Sequence, residues 1–189
     1  MPSVDAQPSP ALSVRGEEVI AYVAVGSNIK PERHVPWALA TLAEVVEVLG
    51  SSTFYRTAPL GDRDQPRFVN GVWQIATAIE PRRLKYEVLR GVEAAVGRVR
   101  SDDRFAPREI DLDLILYGDR AIDEPGLELP DPEIEERPFI AVPLLELAPE
   151  LVLPGGGGRP LAAETVVERT SELEPLPELS ARLRECVKQ

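Results

Sequence analysis

Hydrophobic and polar positions divide the chain, from about residue 17 onward, into alternating strand-like and helix-like segments. "EEVIAYVAVGSN" (17–28) is an apolar run rich in Val that halts at Gly-Ser-Asn, as a strand does on entering a turn. "PERHVPWALATLAEVVEVLG" (31–50) spaces Ala38, Leu42, Val45, Val46 and Leu49 for one helical face and ends on Gly50, which predicts a first helix reaching that glycine. "STFYRTAP" and "RFVNGVWQIATAIE" read as strands joined by the polar loop "LGDRDQ", and are expected to pair antiparallel. From Pro81, a favoured first-turn residue, Leu84, Val88, Val92 and Val96 recur every four residues, predicting a second helix broken at Gly97. A polar loop "RVRSDDRFAPR", a strand "EIDLDLILYG", a Pro-rich stretch (124–138) and an apolar segment predicted helical over 142–147 follow. "GGGG" at 155–158 reads as a flexible link without the Lys and Ser/Thr of a phosphate loop, and "ELSARLRECVKQ" as a short terminal helix.

The order strand, helix, two strands, helix, strand is the split βαβ arrangement of an α+β, ferredoxin-like fold. Its sheet is largely antiparallel and flanked by helices that pack on one face. The expected divisions are a disordered tail at 1–16, one domain at 17–160 and a partly helical C-terminal extension at 161–189.

Composition narrows the classes. A chain of 189 residues with 43% hydrophobic content can bury one proper core. The single cysteine, Cys186, cannot form an intrachain disulfide. No apolar run approaches the roughly 20 residues that span a bilayer, and the first residues lack a signal-peptide pattern. A cytoplasmic protein is expected. With 32 acidic against 21 basic residues and a net charge of −11, the chain argues against nucleic acid or anionic membrane as a partner. A monomer acting on small molecules is the expectation, and the lone histidine, His34, reads as a surface residue at the start of the first helix.

Against that acidic background one stretch is unusual. Asp111 and Asp113 are two residues apart on a strand, so they share a face and lie about 7 Å apart, while Ile110, Leu112, Leu114 and Leu116 fall on the other face. Two such carboxylates either solvate the outside of a sheet or jointly hold a hard divalent cation, magnesium first. Arg98, Arg100, Arg104 and Arg108 crowd in just before them. They form either a surface salt-bridge loop with Asp102, Asp103 and Glu109 or, beside a held cation, a polyphosphate site.

"PREIDLDLILYG" is similar to the signature of the 6-hydroxymethyl-7,8-dihydropterin pyrophosphokinase family. The resemblance runs over roughly residues 18–160: "AYVAVGSNI" resembles the family's first strand and turn, "SSTFYRTAPLGDRDQPRFVNGV" its pterin-side loops, and "GRVRSDDRFAPR" its arginine loop. It implies transfer of diphosphate from ATP to the hydroxymethyl group of a reduced pterin, with release of AMP. By the same resemblance Asp111 and Asp113 hold two Mg²⁺ ions, and Arg98 and Arg108 meet the phosphates as catalytic residues. Arg100 and Arg104 lie in a loop that closes over ATP, and Leu114, Asp131 and Arg137 fall at further ATP-side positions. Phe68 and Phe139 match the positions that sandwich the pterin ring, and Asn70 the reader of its edge. Thr57, Ala58, Leu60 and Phe105 match the surrounding pterin-side positions.

The sequence departs from the family at several of these. Asp131 stands where the family usually has a histidine facing the phosphates, a change unfavourable to ATP unless a metal or Arg137 offsets it. Glu128 replaces a small residue, Ala58 a proline, and Phe105 a tryptophan. Taken without the resemblance, Phe68 and Phe139 fit a core and Asn70 a turn. Two other classes also fit parts of the pattern. One is a non-catalytic pterin- or nucleotide-binding module; the other is a nucleotidyltransferase, disfavoured because Gly26-Ser27 lies about 85 positions before Asp111.

Overall fold

The computed structural model describes residues 17–59, 64–99, 106–155, 160–161 and 173–188. Strand β1 (Val19–Ser27) runs through the centre of the sheet, bonded on one side to β4 (Phe68–Thr77) and on the other to β5 (Asp111–Tyr117). β2 (Glu47–Ser51) and β3 (Tyr55–Thr57) both pair with β4, and β8 (Glu174–Pro175) adds to the outside of β3. All of these pairings are antiparallel, and among the described residues the sheet has six strands. Connections that pass through helix α1 (Pro31–Ala43) and through a second helical stretch at 81–96 give the split βαβ topology expected.

One face of the sheet packs against α1 and against a second helical stretch. That stretch is α2 (Pro81–Arg83), a π-helical segment (Leu84–Leu89) and α3 (Arg90–Val96). The four-residue spacing predicted this helix, but not its π turn, which brings Leu84 and Leu89, five residues apart, to the core with Val92 and Val96 and leaves the predicted Val88 only partly buried. Gly97 ends it in the left-handed region at φ 104°, where a side chain would be strained.

The sequence reading departs from the structure in five places. The first helix stops at Ala43, not Gly50, and Glu47–Ser51 is strand β2. The Val-rich "EVVEVLG" pairs edge to edge with β4 (Val48 opposite Ile75), which leaves Val45 54% and Leu49 40% exposed rather than on a helical face. The Pro-rich stretch contains a small hairpin, β6 (Ile122–Glu124) and β7 (Leu127–Leu129), and the short helix α4 (Glu133–Glu136).

The helices also do not all lie on one face. α5 (Pro138–Leu147) covers the opposite side, burying Ile140, Ala141 and Leu144 against Val72, Ile115 and Leu116. Leu116 belongs there, and not with Leu112 and Leu114, because β5 bulges: Leu114 pairs with Val23 and Leu116 with Tyr22, so Ile115 is an extra residue that shifts the alternation. Lastly, His34 is buried at 7% exposure, with Nδ1 2.7 Å from the Ile29 carbonyl oxygen.

The segment 173–188 joins the same body. β8 extends the sheet, and α6 (Pro177–Val187) buries Leu179 and Leu183 in the helix-side core. The tail at 1–16 and most of the glycine run lie outside the described residues. No helix among the described residues is long and apolar enough to cross a membrane.

Candidate active site

Strand register brings the predicted residues together. Asn70 on β4 pairs with Gly26 on β1, and Gly26 pairs with Asp111 on β5, so the three form one rung across the sheet on the α5 side. A Cβ at position 26 would come within 3.1 Å of Asn70 Oδ1 and 3.9 Å of Asp111 Cβ, so glycine there leaves space between the two functional side chains. Asp113 lies one rung along the same face, opposite Ala24. The expected common face of the two aspartates therefore holds, and Leu112, buried at 3% exposure, anchors the strand from behind. Leu114 is at 1% exposure in the helix-side core, so its side chain points away from this face.

Asp111 is gripped from two directions. Arg98, just past the end of α3, donates Nη1 to one carboxylate oxygen, and Arg108, in the loop entering β5, donates Nη1 to the other. Arg98 also pairs with Glu93 of α3, whose Oε1 accepts the Leu112 backbone N–H at 2.9 Å. The four side chains are 2–20% exposed, so each charge needs the others.

Glu93 escaped the sequence reading. Its partners are five residues on and across a strand, and an acidic residue on a helix ordinarily signals a solvated face.

Arg108 is held in place by the turn after β1. Asn28 Oδ1 accepts the Arg108 N–H at 2.8 Å, the Arg108 carbonyl accepts the N–H groups of Asn28 and Ile29, and Ser27 Oγ donates to the Glu109 carbonyl at 2.6 Å. This accounts for the Gly-Ser-Asn turn: buried polar residues stitch the arginine loop to the head of β1.

Asp113 is different. Its side chain is exposed, yet protein atoms crowd it closely enough to desolvate the carboxyl. Desolvation first, and the negative charge of Asp111 second, push its pKa up to about 7. Lys85, on the π-helical segment, opposes that push on Asp113 and likewise on Asp131.

Asp131 has acquired a local task. Its Oδ1 accepts the Glu133 N–H at 2.8 Å at the start of α4, its own N–H donates to the Ile115 carbonyl, and burial raises its pKa. Arg137, between α4 and α5, keeps a buried Nε with no hydrogen-bond partner among the described residues, and its Nη2 lies 3.9 Å from Glu133.

On the other side of the rung, Asn70 Nδ2 donates to Thr57 Oγ1 at 2.7 Å, and both residues are buried. Phe68, half-buried at the start of β4, pairs with Thr57 and lies with its ring centroid 5.7 Å from the Arg108 guanidinium carbon. Phe139, half-buried in α5, packs at the edge of the second core cluster. Ala58 is exposed. Leu60, Arg100, Arg104 and Phe105 lie outside the described residues.

A carboxylate pair beside held guanidiniums on one face of a sheet suits a protein that handles polyphosphate. Comparison with known proteins gives the family. A model described as 7,8-dihydro-6-hydroxymethylpterin-pyrophosphokinase (HPPK) matches residues 22–149. The 2-amino-4-hydroxy-6-hydroxymethyldihydropteridine pyrophosphokinase of Pseudomonas aeruginosa is 41% identical over 138 residues, covering 71% of this chain and 84% of the relative. The protein of the same name from Methylorubrum extorquens is 39% identical over 158 residues, covering 82% and 94%. The chain belongs to the 7,8-dihydro-6-hydroxymethylpterin-pyrophosphokinase family. Plasmodium falciparum HPPK-DHPS, solved with pterin and p-hydroxybenzoate, superposes with a TM-score of 0.62 at 13% identity, covering 85% of this chain and 43% of that one. At that identity the likeness concerns the fold alone.

Proposed function

We propose that the chain transfers diphosphate from ATP to the hydroxymethyl oxygen of 6-hydroxymethyl-7,8-dihydropterin and releases AMP. The observation that carries this is the shared rung, which sets the carboxylate–arginine cluster and the Asn70–Thr57 pair on one face with only Gly26 between them. A new bond forms from the hydroxymethyl oxygen to the β-phosphorus of ATP. The bond from that phosphorus to the oxygen it shares with the α-phosphorus breaks, AMP leaves with the electron pair, and the hydroxyl proton passes to solvent.

Asn70 and Thr57 read the donor and acceptor edge of the pterin, with Phe68 and Phe139 as the apolar walls for its ring. Arg98 and Arg108, already aimed at an anionic oxygen, exchange part of their contact with Asp111 for phosphate oxygens, where charge spreads during transfer. The unpartnered Arg137 Nε is an ATP-side donor of the same kind.

Magnesium fits the donor set, since it is commonly bound by one or two carboxylates together with substrate phosphates, and a cation relieves the repulsion that raises the Asp113 pKa. Asp111 and Asp113 would hold two such ions. When bound, they supply positive charge to the triphosphate and make the attacking hydroxyl more acidic.

The test is incubation with ATP, Mg²⁺ and the pterin alcohol. AMP formed only when all three are present supports the function; ADP, or no pterin-dependent turnover, refutes it. A second reading, a pterin- and nucleotide-binding homologue without turnover, has Asp131 in its favour. Binding of both ligands with no AMP formed would decide for that reading.

A further inference from the structure

The C-terminal segment 173–188 lies beyond the family-matched residues 22–149, yet it touches the hairpin that carries Thr57 and Phe68. That hairpin has a charge problem. Arg56 and Arg67 stand at the two feet of its loop, one next to Thr57 and one next to Phe68, and Arg67 Nη2 reaches to 3.5 Å from the Arg56 carbonyl. Two like-charged guanidiniums, one on β3 and one just before β4, repel unless an anion lies between them.

Glu174, on β8, answers both. Its Oε1 accepts from Arg56 at 3.0 Å and its Oε2 from Arg67 at 2.7 Å. The strand carrying it is itself fixed: the Leu176 N–H donates to the Phe54 carbonyl at 2.8 Å, and Ser180 Oγ accepts the Phe54 N–H at 2.9 Å. Arg184 donates to the Ser51 carbonyl at 3.1 Å and to Thr53 Oγ1 at 2.8 Å, and Leu183 is fully buried. The carboxylate is thus presented by an ordered element rather than by a wandering side chain.

We propose that Glu174 is a positioning residue for the pterin-side hairpin, a carboxylate clasp that draws its two feet together and so sets Thr57 and Phe68 for the substrate. The clasp rests on the pterin-pocket reading above. Because its three side chains are 35–48% exposed, its effect is a tuning of pterin affinity, not a condition for folding or for chemistry.

The experiment is steady-state kinetics of the full chain with Glu174→Gln, Glu174→Asp and Phe68→Ala. Glu174→Gln should raise the pterin KM about fivefold, as expected for the loss of two exposed pairs, with kcat and the ATP KM unchanged and the melting temperature moved by about 2 °C or less. Glu174→Asp should recover part of the pterin KM. High salt should raise the wild-type pterin KM toward that of the Gln variant. An equal loss in pterin KM, ATP KM and kcat for Glu174→Gln overturns the clasp, because it marks a general structural defect. A raised pterin KM in Phe68→Ala with none in Glu174→Gln overturns the clasp alone. An unchanged pterin KM in Phe68→Ala overturns the pterin-pocket reading and the clasp with it.

Discussion

Two carboxylates in this molecule each sit between two arginines, and they do different work. Asp111 joins Arg98 and Arg108 with side-chain exposures of 11–20%, while Glu174 joins Arg56 and Arg67 at 35–48%. Burial separates them. Around Asp111 water is scarce, so Glu93 is recruited and the charges are fixed by four elements at once; losing one leaves another stranded. Around Glu174 water screens each pair, and what survives is geometry, worth up to about 1 kcal/mol per pair. Under the proposed function the buried cluster binds and polarises the charged substrate, and the exposed one adjusts the shape of the neighbouring pocket.

The largest expected effect falls on the buried side. Asp113→Ala removes a carboxylate from the Asp111 face without unpairing an arginine, and should lower turnover by roughly 1000-fold or more with the melting curve preserved, since a metal ligand contributes several kcal/mol to the transition state. Near-normal kcat in that variant would sink the metal role. Asp111→Ala is a poorer probe, because it leaves Arg98 and Arg108 facing each other. Next comes Glu93→Ala, which leaves the Leu112 N–H without its acceptor and two arginines sharing the single Asp111 carboxylate. Breaking a buried pair in this way should cost about 3–5 kcal/mol in chemical denaturation, several times what the exposed clasp can lose.

Leu112→Ala, on the back of the same strand, should cost roughly 2–5 kcal/mol of stability while activity per folded molecule stays near wild type. A lost activity without lost stability would mean that the two faces of β5 have been assigned the wrong way round.

The smallest effect is one of pH. The Asp113 carboxyl titrates at about 7 in the fold against 3.8 for an ordinary aspartate, so the native chain holds the proton more tightly than the unfolded one. Stability from this group therefore falls as pH rises between those two values, and the cost is fully present above the higher one. Asp113→Asn should melt a few degrees higher than wild type at pH 8, about 1 kcal/mol once solvent screening of an exposed group is allowed for, and the difference should vanish near pH 4. A gap that widens toward acid pH would reverse the assignment.

How much of this was legible from sequence follows from which forces are local. The second helix, β5 and the Asp111–Asp113 face came from periodicity, and the arginine cluster from plain proximity in the chain. β2 was misread because "EVVEVLG" continues the apolar run of α1, and only its partner β4 makes it a strand. The flip of Leu116 is invisible without knowing that Val23 and Tyr22 face Leu114 and Leu116 across a bulge. Glu93 and Lys85 act on residues of β5 across the helix–sheet interface, and Glu174 closes on arginines more than a hundred positions earlier, so neither contact leaves a spacing to read. Resemblance puts Asp131 on the ATP side, and nothing in the sequence showed that its Oδ1 also accepts the Glu133 N–H at the start of α4.

The most direct measurement follows the phosphorus. With ATP labelled at the β-phosphorus, Mg²⁺ and 6-hydroxymethyl-7,8-dihydropterin, the account predicts that the label leaves AMP behind and appears wholly on the pterin as its diphosphate ester, and only when the pterin alcohol is present. Label retained in ADP, or released as inorganic diphosphate with AMP joined to the acceptor, would contradict it.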